Sequence, residues 1–299
     1  MPSSLVSNQA RVSRYSPAGP VAERREPLVL AVAPNGARKT RSDHPALPIM
    51  PMDLANCAAA CRDAGASMVH LHVRKADGSH SLAAEDYRPA ITALRQVVGD
   101  SLVIQLSSEA VGIYGPSEQM ALVRELRPEA VSLALREILP NQAAEPEGAK
   151  FLAWAHREHI VAQYILYSAE DATRYAEVRQ RGIVPAGRHW VLFVLGRYAA
   201  GQQSSLADLL PILAAWQTAG QVTQDVRWAM CAFGSREIEC ALGAAALGGD
   251  VRLGFENNVQ LPDGRIARDN AELLTCFADF AARLGHPLAD AALLRSFFP

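Results

Sequence analysis

Apolar residues along the chain gather into short runs rich in Val, Ile and Leu, each followed by a longer stretch whose apolar positions recur at helical spacing. The runs are LVLAVA (28–33), SMVHLHV (67–73), LVIQL (102–106), AVSLAL (130–135), IVAQYIL (160–166), WVLFVLG (190–196), DVRWAMC (225–231) and DVRLGF (250–255). The spacing between them predicts helices near 52–64, 85–98, 117–126, 148–157, 169–181, 204–216, 235–247 and 270–284. Strands that are apolar on both faces belong to a parallel sheet, and parallel neighbours need a helical crossover. Eight such units fit a closed (β/α)₈ TIM barrel better than an open doubly wound sheet. The expected organisation is α/β: a single TIM-barrel domain over 27–299 behind an N-terminal extension over 1–26.

Helix punctuation agrees with this reading. Pro51 falls in the first turn of the first helix, where its missing N–H costs nothing. Gly65, Gly182 and Gly285 follow predicted helices and suit left-handed caps. Two connections, 34–50 and 136–147, are long and contain proline. Both follow strands, on the side where a barrel of this kind builds its site, so substrate selection is expected there.

Charge and composition narrow the function classes. Among 299 residues, 29 Lys+Arg stand against 31 Asp+Glu, a net charge of -2. That leaves no electrostatic footprint for nucleic acid or an anionic membrane surface. No apolar stretch approaches the roughly 18 residues a transmembrane helix requires. The first 26 residues lack the continuous apolar core of a secretory signal. The five cysteines (Cys57, Cys61, Cys231, Cys240 and Cys276) form no CxxC pair and read as reduced thiols, which points to the cytoplasm.

The second apolar run contains the first chemistry. In Met68-Val69-His70-Leu71-His72-Val73-Arg74 alternation puts His70, His72 and Arg74 on one face. The outer face of a barrel strand must be apolar to meet helices, so the histidines point inward near the carboxyl end. Two imidazoles so placed form a bidentate metal site or a hydrogen-bonded pair in a polar mouth. The last run leads into Glu256-Asn257-Asn258, and Glu256 faces the same mouth. Two His and one Glu with open positions is a pattern of catalytic zinc; a solvated loop acid is the alternative for Glu256.

Taken together, AGASMVHLHVRKADG (64–78), LGGDVRLGFENN (247–258) and PDGRIARDNAELL (262–274) resemble the β-keto acid cleavage enzymes, over a similarity running from about Leu28 to the C-terminus. The resemblance implies a zinc-dependent barrel, one Zn²⁺ per chain, that condenses a β-keto acid with acetyl-CoA to give acetoacetate and a new acyl-CoA. His70, His72 and Glu256 fall on the family's metal ligands and Arg252 on a catalytic arginine. The family also implies a homotetramer. On residue type alone, Arg252 could equally form an ion pair with Asp250 or Asp77.

Several positions depart from the family pattern. Asn257 stands where an aspartate is usual, and a carboxamide has no useful basicity near neutral pH. Where Ser/Thr is usually followed by two glycines, the chain reads Ser107-Ser108-Glu109-Ala110. Ser107 keeps a polar contact for substrate, while Glu109 brings charge and bulk beside Ala110. Arg38 replaces an acid suited to a substrate ammonium and should favour a carboxylate, hydroxyl or carbonyl instead, unless it pairs with Glu109. Arg136 is a second candidate partner for Glu109. Gln163 stands near an expected glutamate, and Leu135-Arg136-Glu137 is more charged than usual. Besides the condensation, two readings stay open: a metal-binding homologue that has lost catalysis, and a zinc barrel running a hydrolase or retro-aldol reaction with Glu109 or Glu137 as base.

Overall fold

The computed structural model describes residues 26–298, so the expected extension over 1–26 lies, apart from Glu26, outside the described residues. In chain order the strands are β1 (Leu30–Val32), β2 (Met68–Leu71), β3 (Val73–Arg74), β4 (His80–Ser81), β5 (Val103–Ser107), β6 (Ala130–Ala134), β7 (Val161–Leu166), β8 (His189–Leu195), β9 (Val226–Ala232) and β10 (Asp250–Leu253). β3 and β4 pair antiparallel as a hairpin, and the other eight close a parallel barrel in which β10 returns to β1. The helices are α1 (Pro51–Asp63), α2 (Ala84–Val98), α3 (Pro116–Leu126), α4 (Leu135–Ile138), α5 (Glu145–Arg157), α6 (Ala169–Gln180), α7 (Leu209–Thr218), α8 (Glu237–Ala246), α9 (Asn270–Arg283) and α10 (Ala291–Phe297). The expected TIM barrel is present.

Alternation along the strands divides the core into two shells. Leu30, Val32, Val69, Leu71, Ile104 and Leu106 belong to the outer one, against the helices. Ala31, Met68, Val103, Trp190 and Leu192 fill the barrel interior. Its amino end is closed by α10, whose Ala291 and Leu294 join the interior cluster while Phe298 stacks on Trp190 at 5.5 Å. Arg295 fastens that helix by donating to Asp100 O at 2.6 Å and Leu102 O at 3.2 Å, beside an ion pair with Glu129. With the amino end plugged, the carboxyl mouth is where polar side chains collect.

Three local expectations are corrected. The segment 136–147 is not a long loop: α4 begins at Leu135, a 3-10 turn spans Gln142–Ala144, and α5 starts at Glu145 instead of near 148. Burial of Leu135 and Ile138 holds that first turn against the barrel. α7 starts at Leu209, preceded by a separate 3-10 turn over Leu206–Asp208. The β3–β4 hairpin and α10 were not expected, the hairpin because two-residue strands are too short to carry a periodic signal.

One buried base at the amino end gives the fold a pH dependence. His189, at the start of β8, is buried and its Nε2–H donates to Pro185 O at 2.7 Å. Burial, with help from the Arg179 charge, pushes its pKa down to about 4. The unfolded chain therefore binds a proton that the folded one refuses as pH falls from about 6.5 to about 4. This stability is fully present above that window and is lost through it, on the order of 2–3 kcal/mol. His189→Gln should flatten the dependence, measured as the difference in urea unfolding free energy between pH 7 and pH 4.5. Equal slopes in the two proteins would remove His189 from the account.

Candidate active site

His70 points from β2 into the barrel, and its Nδ1 lies 2.8 Å from Gln105 Oε1 on β5. Gln105 Nε2 in turn donates to Gln163 Oε1 on β7 at 3.1 Å. A carboxamide oxygen accepts, so His70 carries its proton on Nδ1 and turns the Nε2 lone pair toward the mouth. Burial holds the His70 imidazole well below its ordinary pKa and so neutral. His72 lies just past the end of β2, and its Nε2 comes within 3.1 Å of His70 Nε2. The same-face expectation thus holds for the two histidines but not for Arg74. The chain leaves the barrel after Leu71, and in the hairpin Arg74 donates instead to Gly36 O (2.5 Å), Lys39 O (3.0 Å) and Gly78 O (3.0 Å).

Glu256 reaches the histidines from the turn after β10. Glu256 Oε2 is 3.5 Å from His72 Nε2 and 3.8 Å from His70 Nε2. Its backbone N–H donates to Ala33 O at 3.1 Å, which ties the turn to the end of β1. Two glycines make the approach possible. Gly254 has φ 140°, and a Cβ there would stand 2.4 Å from Ala33 O; Gly36 has φ 59°, and a Cβ there would stand 2.6 Å from Glu256 Cγ.

Arg252 enters the same interior and is buried. Its Nη2 approaches Glu256 Oε1 and Cys231 Sγ, both at 3.3 Å. The expected alternatives are not realised, because Asp250 is held by Arg227 at 2.5 Å and Asp77 by Ser79. Burial pushes the Glu256 carboxyl up, yet Arg252 and His72 outweigh it and hold the group well below the usual carboxylate range. The Arg252 Nε and Nη1, the Glu256 Oε2, the His72 Nδ1 and both polar atoms of Asn257 are buried without a hydrogen-bond partner. Orphaned groups so concentrated are costly unless a ligand uses them.

Among the described residues, His70, His72 and Glu256 form the cluster able to hold a metal, with ligand atoms within 4.8 Å of one another. The donor set fits zinc: two imidazole nitrogens and a carboxylate held ionised, whose Oε2 has no hydrogen-bond partner.

The remaining predicted site residues surround this centre. Ser107 ends β5 and its Oγ accepts from Glu109 N at 3.2 Å. Glu109 pairs neither with Arg38 nor with Arg136; its Oε1 accepts from Arg197 Nη2 at 2.9 Å, because β8 brings Arg197 to the mouth. Arg136 is held by Asp171 and lies over the Tyr167 ring, 4.6 Å from its centroid. Ala110 N donates to Glu137 Oε2 at 3.1 Å, and Gln119 Nε2 donates to the same oxygen at 2.8 Å, so Glu137 on α4 is engaged by the neighbouring β5–α3 segment. Arg38 is exposed, makes no hydrogen bond or ion pair among the described residues, and lines the cavity over Glu256. Sequence reasoning missed Gln105, Arg197 and Lys39, whose Nζ donates to Phe255 O (2.7 Å) and Glu256 O (3.0 Å). Of these only Gln105 left a signal, as a polar residue at an inward position of an apolar run.

A parallel barrel with two imidazoles, a carboxylate and a buried guanidinium at its carboxyl mouth defines a class: TIM barrels with a candidate metal centre beside a buried cation. Within that class the family is settled by comparison, for the "beta-keto acid cleavage enzyme" model matches residues 27–298, and the chain belongs to that family. It is 28% identical over 272 residues to a 3-keto-5-aminohexanoate cleavage enzyme of Fusobacterium nucleatum, covering 88% of this chain and 94% of the relative. It is 25% identical over 280 residues to a 3-oxoadipate:acetyl-CoA acetyltransferase of Cupriavidus necator, covering 91% and 94%. Among solved structures, apo ObcA superposes with a TM-score of 0.68 at 15% identity, over 85% of this chain and 65% of that one, a likeness of fold alone.

Zinc analysis tests the centre. The expected content of the purified protein is about one zinc per chain, and His70→Ala,His72→Ala should abolish it while leaving the far-ultraviolet circular dichroism intact. Gln105→Ala should weaken zinc binding roughly 10–100-fold by freeing the His70 ring. Full zinc in the double variant would sink the assignment.

Proposed function

We propose that the protein condenses a β-keto acid with acetyl-CoA, giving acetoacetate and the acyl-CoA of the remaining acyl group. The bond between C2 and C3 of the keto acid breaks, the C1–C2 unit takes the acetyl group, and the acyl group ends on the CoA sulfur. The observation that carries this reading is the buried convergence of His70, His72, Glu256 and Arg252, on an enzyme family that cleaves β-keto acids. The relative named as an acetyl-CoA acetyltransferase supports acetyl-CoA as co-substrate. We also infer the homotetramer from the family.

Zinc held by His70, His72 and Glu256 would supply Lewis acidity to the ketone. The chain's own groups do the rest. Arg252 presents two unpartnered guanidinium nitrogens that bind the substrate carboxylate by charge-assisted hydrogen bonds. Gln105 and Gln163 keep the His70 ring oriented. The Ser107 hydroxyl lies at the end of β5, within the same mouth. Asn257 takes no proton.

Arg38 supplies the selection at the far end of the substrate. Its loop is clamped by Arg74 from one side and by Lys39 from the other, while the Arg38 guanidinium itself is left uncommitted. A cation at the mouth with no ion pair among the described residues disfavours a substrate ammonium and favours a distal carboxylate or neutral polar group.

The test is acetyl-CoA-dependent turnover on amino-substituted, neutral and dicarboxylic β-keto acids. Wild type should give its lowest kcat/KM with 3-keto-5-aminohexanoate, and Arg38→Glu should reverse that order. A wild-type preference for the amino-substituted acid would overturn the substrate reading, and no acetyl-CoA-dependent turnover would overturn the reaction. Asn257→Asp places a carboxylate beside Arg252, and general base catalysis is typically worth roughly 10²–10⁴-fold. The variant should therefore be faster than wild type in this condensation. A slower variant would favour the hydrolase or retro-aldol reading.

A further inference from the structure

The cavity over Glu256 is lined by residues 35–39, which follow β1, and by Glu109, Arg197 and Phe233, which follow β5, β8 and β9 further round the ring. Glu109 follows β5 and Arg197 follows β8, so their ion pair crosses the mouth over the ends of β6 and β7. Both side chains are largely covered, at 19% and 13% exposure.

Each end of the bridge is fastened independently. Glu109 donates its backbone N–H to Ser107 Oγ at 3.2 Å, and its carbonyl accepts from His80 Nε2 at 2.9 Å. The Arg197 guanidinium lies over the Phe233 ring at 5.5 Å and the Tyr198 ring at 5.8 Å, while Gln202 Nε2 donates to Arg197 O at 3.4 Å. A partly desolvated pair anchored at both ends resists displacement, because a ligand that parts it strands two charges away from water. An aliphatic chain offers neither charge a replacement partner.

We infer that the Glu109–Arg197 bridge is the far wall of the substrate cavity and sets the longest acyl chain the β-keto acid can carry. This rests on the reading that the cavity takes a β-keto acid. Long straight-chain acids are excluded by size, and the exclusion depends on the bulk of the bridge more than on its charge.

The test measures binding apart from turnover, by calorimetry with the unreactive 3-hydroxy acids from 3-hydroxybutanoate to 3-hydroxydecanoate. Wild type should bind the short acids and lose affinity beyond a cutoff, at about tenfold or more for the first methylene that meets the wall. Glu109→Ala,Arg197→Ala should move the cutoff to longer acids. Glu109→Gln, which keeps the bulk and still accepts from Arg197, should leave it in place. The inference fails if wild type binds all lengths alike or none of them, if the alanine pair leaves the profile unchanged, or if Glu109→Gln relaxes it as much as the alanine pair does. Turnover of the matching 3-oxo acids with acetyl-CoA then separates the two claims. A sharp cutoff without turnover would sink the reaction and keep the wall.

Discussion

The site depends on one junction, the closure of β10 on β1. Ala33 N donates to Leu253 O at 2.8 Å, and three residues on Glu256 N donates back to Ala33 O at 3.1 Å. These two bonds carry the chain past the end of β10 in a turn that only glycine at 254 permits, and they deliver the Glu256 carboxylate over the β2 histidines. The carboxylate oxygens of Glu237 accept from Gly254 N at 3.1 Å and Asn258 Nδ2 at 3.4 Å, bracing the turn from behind. Burial pushes that acid up to about 8, so near neutral pH it is largely uncharged and adds little field to the centre. Loosening this junction separates residues 186 positions apart in sequence, 256 less 70, that no local structure would otherwise bring together.

The electrostatics follow from burial. Arg252 and Glu256 are charged groups held away from water, and each makes the other tolerable. Truncating either leaves an uncompensated charge, at a cost of about 3–5 kcal/mol. Loss of activity in such a variant therefore mixes folding with chemistry, whereas His70, which burial keeps neutral, can be removed without stranding a charge. His80 extends the neutral set: burial pushes it down to about 3, and its Nε2–H is spent on Glu109 O. Beside the candidate metal position His70 and His80 thus stay unprotonated across the physiological range, as ligation by His70 needs.

What could be read from the chain was what strand periodicity controls. The eight apolar runs gave the barrel, and the parity of 68, 70 and 72 placed two histidines inward, since the alternation survives to the end of β2. Parity failed at Arg74, because the chain leaves the sheet and nothing local to residues 72–74 announces the exit. Glu256 was legible because the turn after the last strand has one acid. The partner of Glu109 was not: Arg197 is 88 residues away, and only the order of strands around the ring decides that β8, and not the loop after β1 or β6, supplies the cation. The amino-end plug escaped for a similar reason, since α10 spends seven residues on a role set by the diameter of the barrel.

The departures in the lining act together on how the site handles negative charge. An aspartate at 257 would compete for the Arg252 guanidinium, which already shares Glu256. With Asn257 the guanidinium keeps Nε and Nη1 without partners, and the carboxamide itself is buried with both polar atoms unpaired. The exchange gives up a base and leaves a stronger anion receptor. Glu109 does not undo this, since Arg197 neutralises it, and Arg38 adds a cation that makes no ion pair among the described residues. Lys39 spends its charge on the Phe255 and Glu256 carbonyls and so ties the β1 loop to the turn that carries Glu256. Asn257 and Gln163 remove negative charge, Arg38 adds positive charge and Arg197 cancels Glu109, while Glu137 is an added acid held by Ala110 N–H and Gln119. A lining altered chiefly toward positive potential at 38, 163 and 257, around His70, His72, Glu256 and Arg252, is what a change of substrate would leave behind; drift in an inert protein has no reason to favour one sign at those positions.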